Sequence, residues 1–513
     1  MGRCLFAVAE SVISHLAGLF WSSMYIRFFR GAALVLLSLA LTLPVSASPW
    51  AEVGDNQLRS DVELLQAWGV IDDVTTHWPL PWQSLLSDLS RSDISAQPAT
   101  IRAAVARVLA RAQAATAPGV TAWASFDAAS KPQLVYGFDG MGRGEGQAQL
   151  SLEGTAGAFS GRIALGAITQ NYRGNNTKVM PDGSYGSVQL GDALIYLGYL
   201  DHWWGPGQIS ALQLSNNARP VPQVGIERAQ TTASSWPILN WLGPWQAEIM
   251  FGYLDGPRIQ TDTYYTGARL TIHPFKGFEA AIARTEEFCG QGHACVPIRD
   301  YFHFSNNPLS VNSTSDELAF DFKYSDTVAK IPYQIYMQLM NEDYSWFDHS
   351  GTSHLFGASV FIPAPESPVK LTVEFTDTIS THHPFSFGDN IYGFSYTNGT
   401  FFDGMRYRGR TLGFSLDDDS TLLSLQGSWS DAVGRFYELA VHHATIGNSH
   451  SIGSNIISTT PAVVNIGEAR VSLPFTLGAR TYHLDLDGRL QDDQPRPHKG
   501  FAAAVEVALR VPF

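Results

Sequence analysis

The 513-residue sequence predicts a mainly β protein, a closed antiparallel transmembrane barrel behind a small helical unit. Three observations predict it: an export signal followed by no membrane-length apolar helix, long segments alternating apolar and polar with period two, and a last alternating segment ending on Phe513. Composition agrees. The formal net charge is -14, only 16% of residues are charged and 12% are aromatic. So low a charged fraction, against about 25% in ordinary globular proteins, suits an outer face that meets something less polar than water. The negative balance argues against nucleic acid as a partner, because a phosphate backbone calls for a basic surface.

The export signal starts at Met24, in "MYIRFFRGAALVLLSLALTLPVSASPW". Arg27 and Arg30 form a positive n-region, Gly31 to Leu43 an apolar core, and Val45-Ser46-Ala47 a small-residue cleavage motif. A core of about 13 residues is too short for the about 20 that a spanning helix needs, so 1–47 reads as a cleaved secretory signal rather than an anchor. Residues 1–23 add nothing a signal requires, which points to Met24 as the start of translation. No cysteine follows the core, which argues against a lipoprotein. Of the 3 cysteines, Cys4 leaves with the signal, and Cys289 and Cys295 in "EEFCGQGHACVP" remain. In an oxidising compartment this pair reads as a disulfide closing a small loop. His293 lies between them, but a zinc site would need a further ligand that the neighbourhood lacks. No metal or cofactor is expected.

Residues 48–118 have helical character. In "NQLRSDVELLQAWGVI", Leu58, Val62, Leu65, Trp68 and Val70 fall near helical spacing, with Ser60 and Asp61 near the start. "LPWQSLLSDLS" and "ATIRAAVARVLARAQAAT" repeat the pattern, and Pro79, Pro81 and Pro98 separate the pieces. A unit of about 65 residues is small for an independent domain. Its residues do not choose between docking on the barrel and contacting export machinery.

From residue 119 to the end the period is two. "PVKLTVEFTDT" sets Val369, Leu371, Val373 and Phe375 on one face against Lys370, Thr372 and Glu374. "ELAFDFKYSD" opposes Leu318, Phe320, Phe322 and Tyr324 to Asp321 and Lys323, and "PYQIYMQLM" opposes Ile335, Met337 and Leu339 to Gln334 and Gln338. "GRFYELAVHH" and "RTYHLDLDGRL" behave likewise. A soluble sandwich also alternates. What favours a barrel is the number of segments, their length of about nine to eleven residues, and the Gly, Asn and Asp turns between them. About 395 residues at roughly 22 per strand and connection leave room for some 16–18 strands, which must close to leave no edge in lipid. The last segment, "FAAAVEVALRVPF", places Phe501, Ala503, Val505, Val507, Leu509, Val511 and Phe513 on one face. A terminal aromatic closing such a strand resembles the assembly signal of bacterial outer-membrane barrels.

One segment breaks the alternation: "DHWWGPGQISALQLSNNARPVPQVGIER", Asp201 to Arg228. It resembles the signature of the capsule assembly Wzi family of Gram-negative outer membranes. "RSDVELLQAWGVIDDVTTHWPLPW", "YMQLMNEDYS", "TVEFTDT" and "GMRYRGRTLGFSLDDDS" match further, in the family's order and over nearly the whole chain after the signal. The Cys289/Cys295 loop and "STHHPFSFGDN" depart from the family pattern, which leaves the identity of any bound sugar open. The resemblance implies an 18-stranded outer-membrane barrel with a lumen obstructed by folded loops, preceded by a periplasmic helical bundle. It implies a non-enzymatic surface lectin that retains capsular polysaccharide or exopolysaccharide, with outer-membrane lipid, lipopolysaccharide and capsule export machinery as its other surroundings.

The residues fit that role. Sugar rings present C–H faces edged by hydroxyls, so a binder uses flat aromatics and fixed amides, carboxylates or guanidiniums. Trp203 and Trp204 offer the former; Asn216, Asn217, Arg219, Glu227 and Arg228 the latter. Arg406, Arg408 and Arg410 alternate around Tyr407 onto one face, suited to bidentate contact with an acidic polymer. The same residues also fit a structural role, which is the favoured one. The tryptophans suit an aromatic girdle or a lumen plug, and the amides suit a confined loop whose polar atoms must be paired. The arginines suit lumen carboxylates such as Glu342, Asp343 or Glu374. Gly205-Pro206-Gly207 and Pro220/Pro222 supply the sharp turns of a plug. The alternative function is a porin, which keeps a water-filled lumen and has no use for a Trp- and Pro-rich insertion. A hydrolase is disfavoured: among 15 histidines, including His382-His383 and His442-His443, neither G-x-S-x-G nor H-E-x-x-H occurs.

Overall fold

The computed structural model describes residues 48–513 other than 118, 171–175, 294, 296–313, 343–350, 366, 448–454, 479 and 495–500. The predicted signal, 1–47, and Asp343 lie outside the described residues.

The helical region forms three helices, α1 (Asn56–Trp68), α2 (Trp82–Arg91) and α3 (Ala99–Thr116). Asp55 caps α1 by accepting the Leu58 N–H, and Gly69 ends it in the left-handed conformation at φ 82°. Pro81 and Pro98 occupy the N-caps of α2 and α3, where no backbone donor is needed. Arg107 clamps Asp61 with bonds of 2.8 and 2.6 Å, fastening α3 to α1.

The remainder is a closed antiparallel barrel of 18 staves. In chain order these are β1 (Val120–Ala129), β2 (Gly146–Ala156), β3 (Phe159–Gln170), β4 (Asn176–Met180 with Tyr185–Leu190), β5 (Ala193–Tyr199) and β6 (Pro222–Arg228). There follow β7 (Trp245–Tyr253), β8 (Thr263–Phe275), β9 (Phe278–Cys289), β10 (Thr314–Val328), β11 (Ile331–Glu342) and β12 (Thr352–Ile362). The last six are β13 (Val369–Thr381), β14 (Thr421–Ser430), β15 (Phe436–Ile446), β16 (Ala462–Leu477), β17 (Arg480–Gln494) and β18 (Phe501–Pro512). Each pairs with its neighbour, and β18 closes on β1 from Glu506↔Ala129 to Pro512↔Trp123. Phe513 donates its N–H to Ala122 O at 2.9 Å, so the ladder runs to the last residue.

The alternation resolves into an inverted protein. Leu150, Leu165, Ile335, Val373, Leu425, Val441 and Val505 are exposed on the outer wall, while Gln246, Glu248, Arg269, Asp321, Lys323, Gln338, Lys370 and Glu374 are buried inside. Apolar outside and polar inside is the arrangement a lipid-embedded cylinder requires. The two rims differ as well. Connections 157–158, 191–192, 276–277 and 329–330 at one rim are two residues long, whereas 130–145, 200–221 and 382–420 at the other are long. The helical unit sits in the mouth at the short-turn rim.

Candidate functional site

Among the described residues, the bore is filled chiefly by the long-rim connections 130–145, 200–221 and 382–420 and by α1. Residues 200–221 run from the long-loop rim down to the helical unit. There Trp203–Trp204 pairs as a two-residue strand with His77–Trp78, and Gly205 donates its N–H to Thr76 O at 3.1 Å. Gly205 has φ 144°, and a Cβ there would stand 2.7 Å from Gln338 Nε2; the turn therefore requires glycine. Both indoles are 0% exposed, so no saccharide can stack on them. Trp203 donates its Nε1–H to Gly207 O at 2.9 Å and meets Phe138 edge-on at 5.6 Å. Phe138 belongs to the 130–145 connection and carries the Arg59 guanidinium of α1 over its ring at 4.5 Å.

The wall grips this segment with single carboxylates and amides. Glu374 on β13 accepts the backbone N–H groups of Gln208, Ile209 and Ser210 at 2.6, 3.1 and 2.7 Å, and the Tyr336 hydroxyl at 2.8 Å. Gln338 on β11 accepts from Leu212 N at 2.7 Å and donates to Trp204 O at 2.9 Å. Loops inside a bore carry peptide groups that water cannot reach, and these side chains satisfy them.

The other predicted residues fall in three places. Asn216 donates to Phe138 O at 3.0 Å, Asn217 to Thr411 O at 2.8 Å, and Arg219 forks onto Asp182 with its shortest bond at 2.6 Å. All three hold the plug. Glu227 and Arg228 are not part of it: they sit on the wall strand β6 near the short-turn rim. Glu227 accepts from Gln246 at 3.4 Å, and Arg228 pairs with Asp192 at 2.7 Å while lying 3.7 Å over the Trp245 ring.

The expectation that Arg406, Arg408 and Arg410 share one face needs correction. Arg406–Tyr407 pairs with Arg410–Thr411 as a hairpin, and Arg408 and Gly409 form its turn at φ 50° and 82°. A turn scatters side chains that a strand would align. Arg406 forks onto Asp417 at 2.9 and 2.9 Å, and Arg408 reaches Asp255 at 2.6 Å beside the Tyr407 hydroxyl, which donates to the same carboxylate. Arg410 reaches Asn217 Oδ1 at 3.0 Å. In the cysteine loop, the Cys289 and Cys295 sulfurs lie 2.08 Å apart.

Two clusters were not anticipated. On α1, Glu63 pairs with Arg59 at 3.0 Å and with Lys370 of β13 at 2.6 Å, and Lys370 also donates to Gln208 at 2.6 Å. Burial opposes ionisation of Glu63, but Lys370 and Arg59 hold its carboxyl well below the usual range. Nearby, Glu279 of β9 accepts from Thr75, Thr76 and Gln66, while Lys323 of β10 donates to Gln66 at 2.8 Å. The second cluster centres on Glu248 of β7, which accepts from His77 and His202, each at 2.9 Å. Burial drives the His77 imidazole down to about 4, so at neutral pH this bond involves an uncharged ring. The hint was in the sequence: Lys370, Glu374, Asp321 and Lys323 all stood on polar faces of alternating segments, and polar faces line the lumen.

Ser424, His442 and Glu468 form a chain of 2.8 and 3.6 Å across β14, β15 and β16. Ser424 and His442 are buried in the filled bore, and Glu468 is half-buried.

Together, the apolar outer wall, the closed ladder and the stoppered lumen define an outer-membrane β-barrel that is occluded by its own chain. The chain belongs to the capsule assembly protein Wzi family, whose model matches residues 121–483. Among solved structures, it resembles Wzi of Escherichia coli, an outer membrane protein involved in group 1 capsule assembly and described as a carbohydrate-binding β-barrel. The TM-score is 0.76 at 18% identity, covering 90% of this chain and 99% of that one. An uncharacterised 55.8 kDa protein of the cps region in Klebsiella pneumoniae is 27% identical over 361 residues, 67% of this chain and 69% of its own.

Proposed function

We propose that this protein is a non-catalytic, lectin-like barrel that binds capsular polysaccharide or exopolysaccharide and helps to assemble or anchor it at the cell surface. The observation that carries the reading is the filled bore. A lumen packed with Trp203, Trp204 and Phe138 is built to display loops rather than to pass solutes. Short turns face the periplasm in barrels of this kind, which puts the helical unit there and the long loops outside. The exposed flank of the helical unit is then the surface offered to capsule export machinery, and the outer wall meets lipid and lipopolysaccharide.

On this reading Trp203, Trp204, Asn216, Asn217, Arg219 and Arg410 shape the loops from below. Polymer contact falls on the long-loop rim, where Phe402 is 63% exposed and Arg408 is more open than Arg406. The test is deletion of the gene followed by measurement of cell-bound and shed polysaccharide. Anchoring predicts normal synthesis with polymer shed to the medium, and unchanged retention overturns it. Large, steady currents from the pure protein in planar bilayers would favour a porin instead.

A further inference from the structure

The connection between β6 and β7 is the odd member of the short-turn rim. Its neighbours span two residues, yet it runs from 229 to 244, through "TTASSWPILNWLGPW". No charged residue occurs between Arg228 and Glu248. Trp236, Ile238 and Trp241 at its tip are 61%, 70% and 64% exposed.

Much of the loop's tip is hydrogen-bonded internally. Leu239 N and Asn240 N donate to Trp236 O at 2.9 and 3.0 Å, Leu242 N to Leu239 O at 3.1 Å, and Gly243 N to Asn240 O at 3.1 Å. Pro237 and Pro244 have no N–H to satisfy. The tip is a single 3₁₀ turn, Asn240–Leu242, in which Asn240 and Leu242 find acceptors within the loop, as suits a peptide entering a low-dielectric phase. The loop is also fixed in place. His273 of β8 donates its N–H to Pro244 O at 2.8 Å, and Gly243 sits so close that a Cβ would lie 1.9 Å from His273 O.

What surrounds the tip is the lipid-facing wall. Beside it, Phe275 is exposed and stacks on Phe278 at 4.8 Å, and the outward Trp245 lies under the Arg228 guanidinium. The exposed tip therefore extends the apolar band of β7 and β8 past the end of the strands. Tryptophan-rich, uncharged segments at this level partition into the interface between headgroups and acyl chains.

We infer that residues 232–243 are a membrane anchor, with Trp236, Ile238 and Trp241 inserted into the periplasmic leaflet of the outer membrane next to β7 and β8. Thr231, at the root of the same loop, donates its N–H to the Ser84 hydroxyl oxygen at 2.8 Å. The anchor thus ties the helical unit to the bilayer surface. The inference does not depend on which polymer the protein binds.

The test uses the full-length protein in vesicles of phosphatidylethanolamine and phosphatidylglycerol, with an environment-sensitive fluorophore on Ile238→Cys. Ala96→Cys, on the exposed side of the helical unit, is the reference. Insertion predicts a blue-shifted emission that brominated lipid quenches several-fold more than aqueous iodide does, with the opposite preference at position 96. Iodide quenching at 238 equal to that at 96 overturns the inference. So does shielding that appears only after a periplasmic protein extract is added, which would make the tip a protein dock. Trp241→Cys gives a second reporter if the first fails to show the heat-modifiable migration of a folded barrel.

Discussion

The two stoppers of the bore are built by different chemistry. At the short-turn mouth, Arg59, Glu63, Lys370, Glu279 and Lys323 are all nearly free of solvent and joined by direct ion pairs. At the long-loop mouth, the outermost pair is partly open: the Arg408 and Asp255 side chains are 22% and 32% exposed. A charge buried without water tolerates no loss of its partner, whereas an exposed pair contributes little. The inner seal is therefore intolerant of change. The outer surface is permissive.

The largest loss is expected in the middle of the bore, where both stoppers meet. Replacing Trp203 and Trp204 together by Ala should cost upward of about 6 kcal/mol, since each large-to-small core change costs about 3–5. Thermal loss of the folded gel band would record it, and the same variant should leak ions in planar bilayers. Lys370→Met strips the buried Glu63 of its closest cation and should loosen the helical unit by about 3–5 kcal/mol. Faster protease cleavage within 48–118, with the barrel intact, is the expected readout.

A third test uses pH. Burial, then the neighbouring Asp88, pushes the Asp73 carboxyl from its ordinary 3.8 up to about 7. The folded state therefore holds a proton that the unfolded chain has already lost between those values. Stability of the docked unit should fall as pH rises through that window. Asp73 accepts from the Thr231 hydroxyl and from Val74 N, so it joins the helical unit to the anchor loop. Asp73→Asn should flatten the dependence, a gain of up to about 4 kcal/mol at pH 8, measured as protease resistance at pH 8 against pH 5. The smallest effect on stability belongs to Arg408→Gln, under about 1 kcal/mol. It should nonetheless weaken polymer retention several-fold and reduce its salt dependence, while Arg406→Gln, which removes the fork on Asp417, should disturb folding instead. Equal retention in both folded variants would assign the whole hairpin to internal pairing.

Much of the architecture was legible because a lipid-exposed wall imposes period two on nearly every segment, as in Val369 to Phe375. The plug was legible from its cost: Trp203-Trp204 and Gly205-Pro206-Gly207 have no place in a strand. What remained hidden was partnership. Spacing put Arg406, Arg408 and Arg410 on one face, but the positive φ at Arg408 and Gly409 turned that face into a hairpin. Glu227 and Arg228 looked like part of the plug because they follow it in sequence, yet β6 had already begun at Pro222. Lys370 and Glu63 are 307 residues apart, and no local pattern can couple them.

The bonds from the N-terminal residues reach staves all around the cylinder: Glu52 to Arg162 on β3, Gln57 to Ser430 on β14, Asn56 to Glu438 on β15, Gln66 to Glu279 on β9. They act as spokes. A rim laced to the helical hub at staves so far apart is held to one cross-section. The spacing of the loops displayed at the opposite end is thereby held constant.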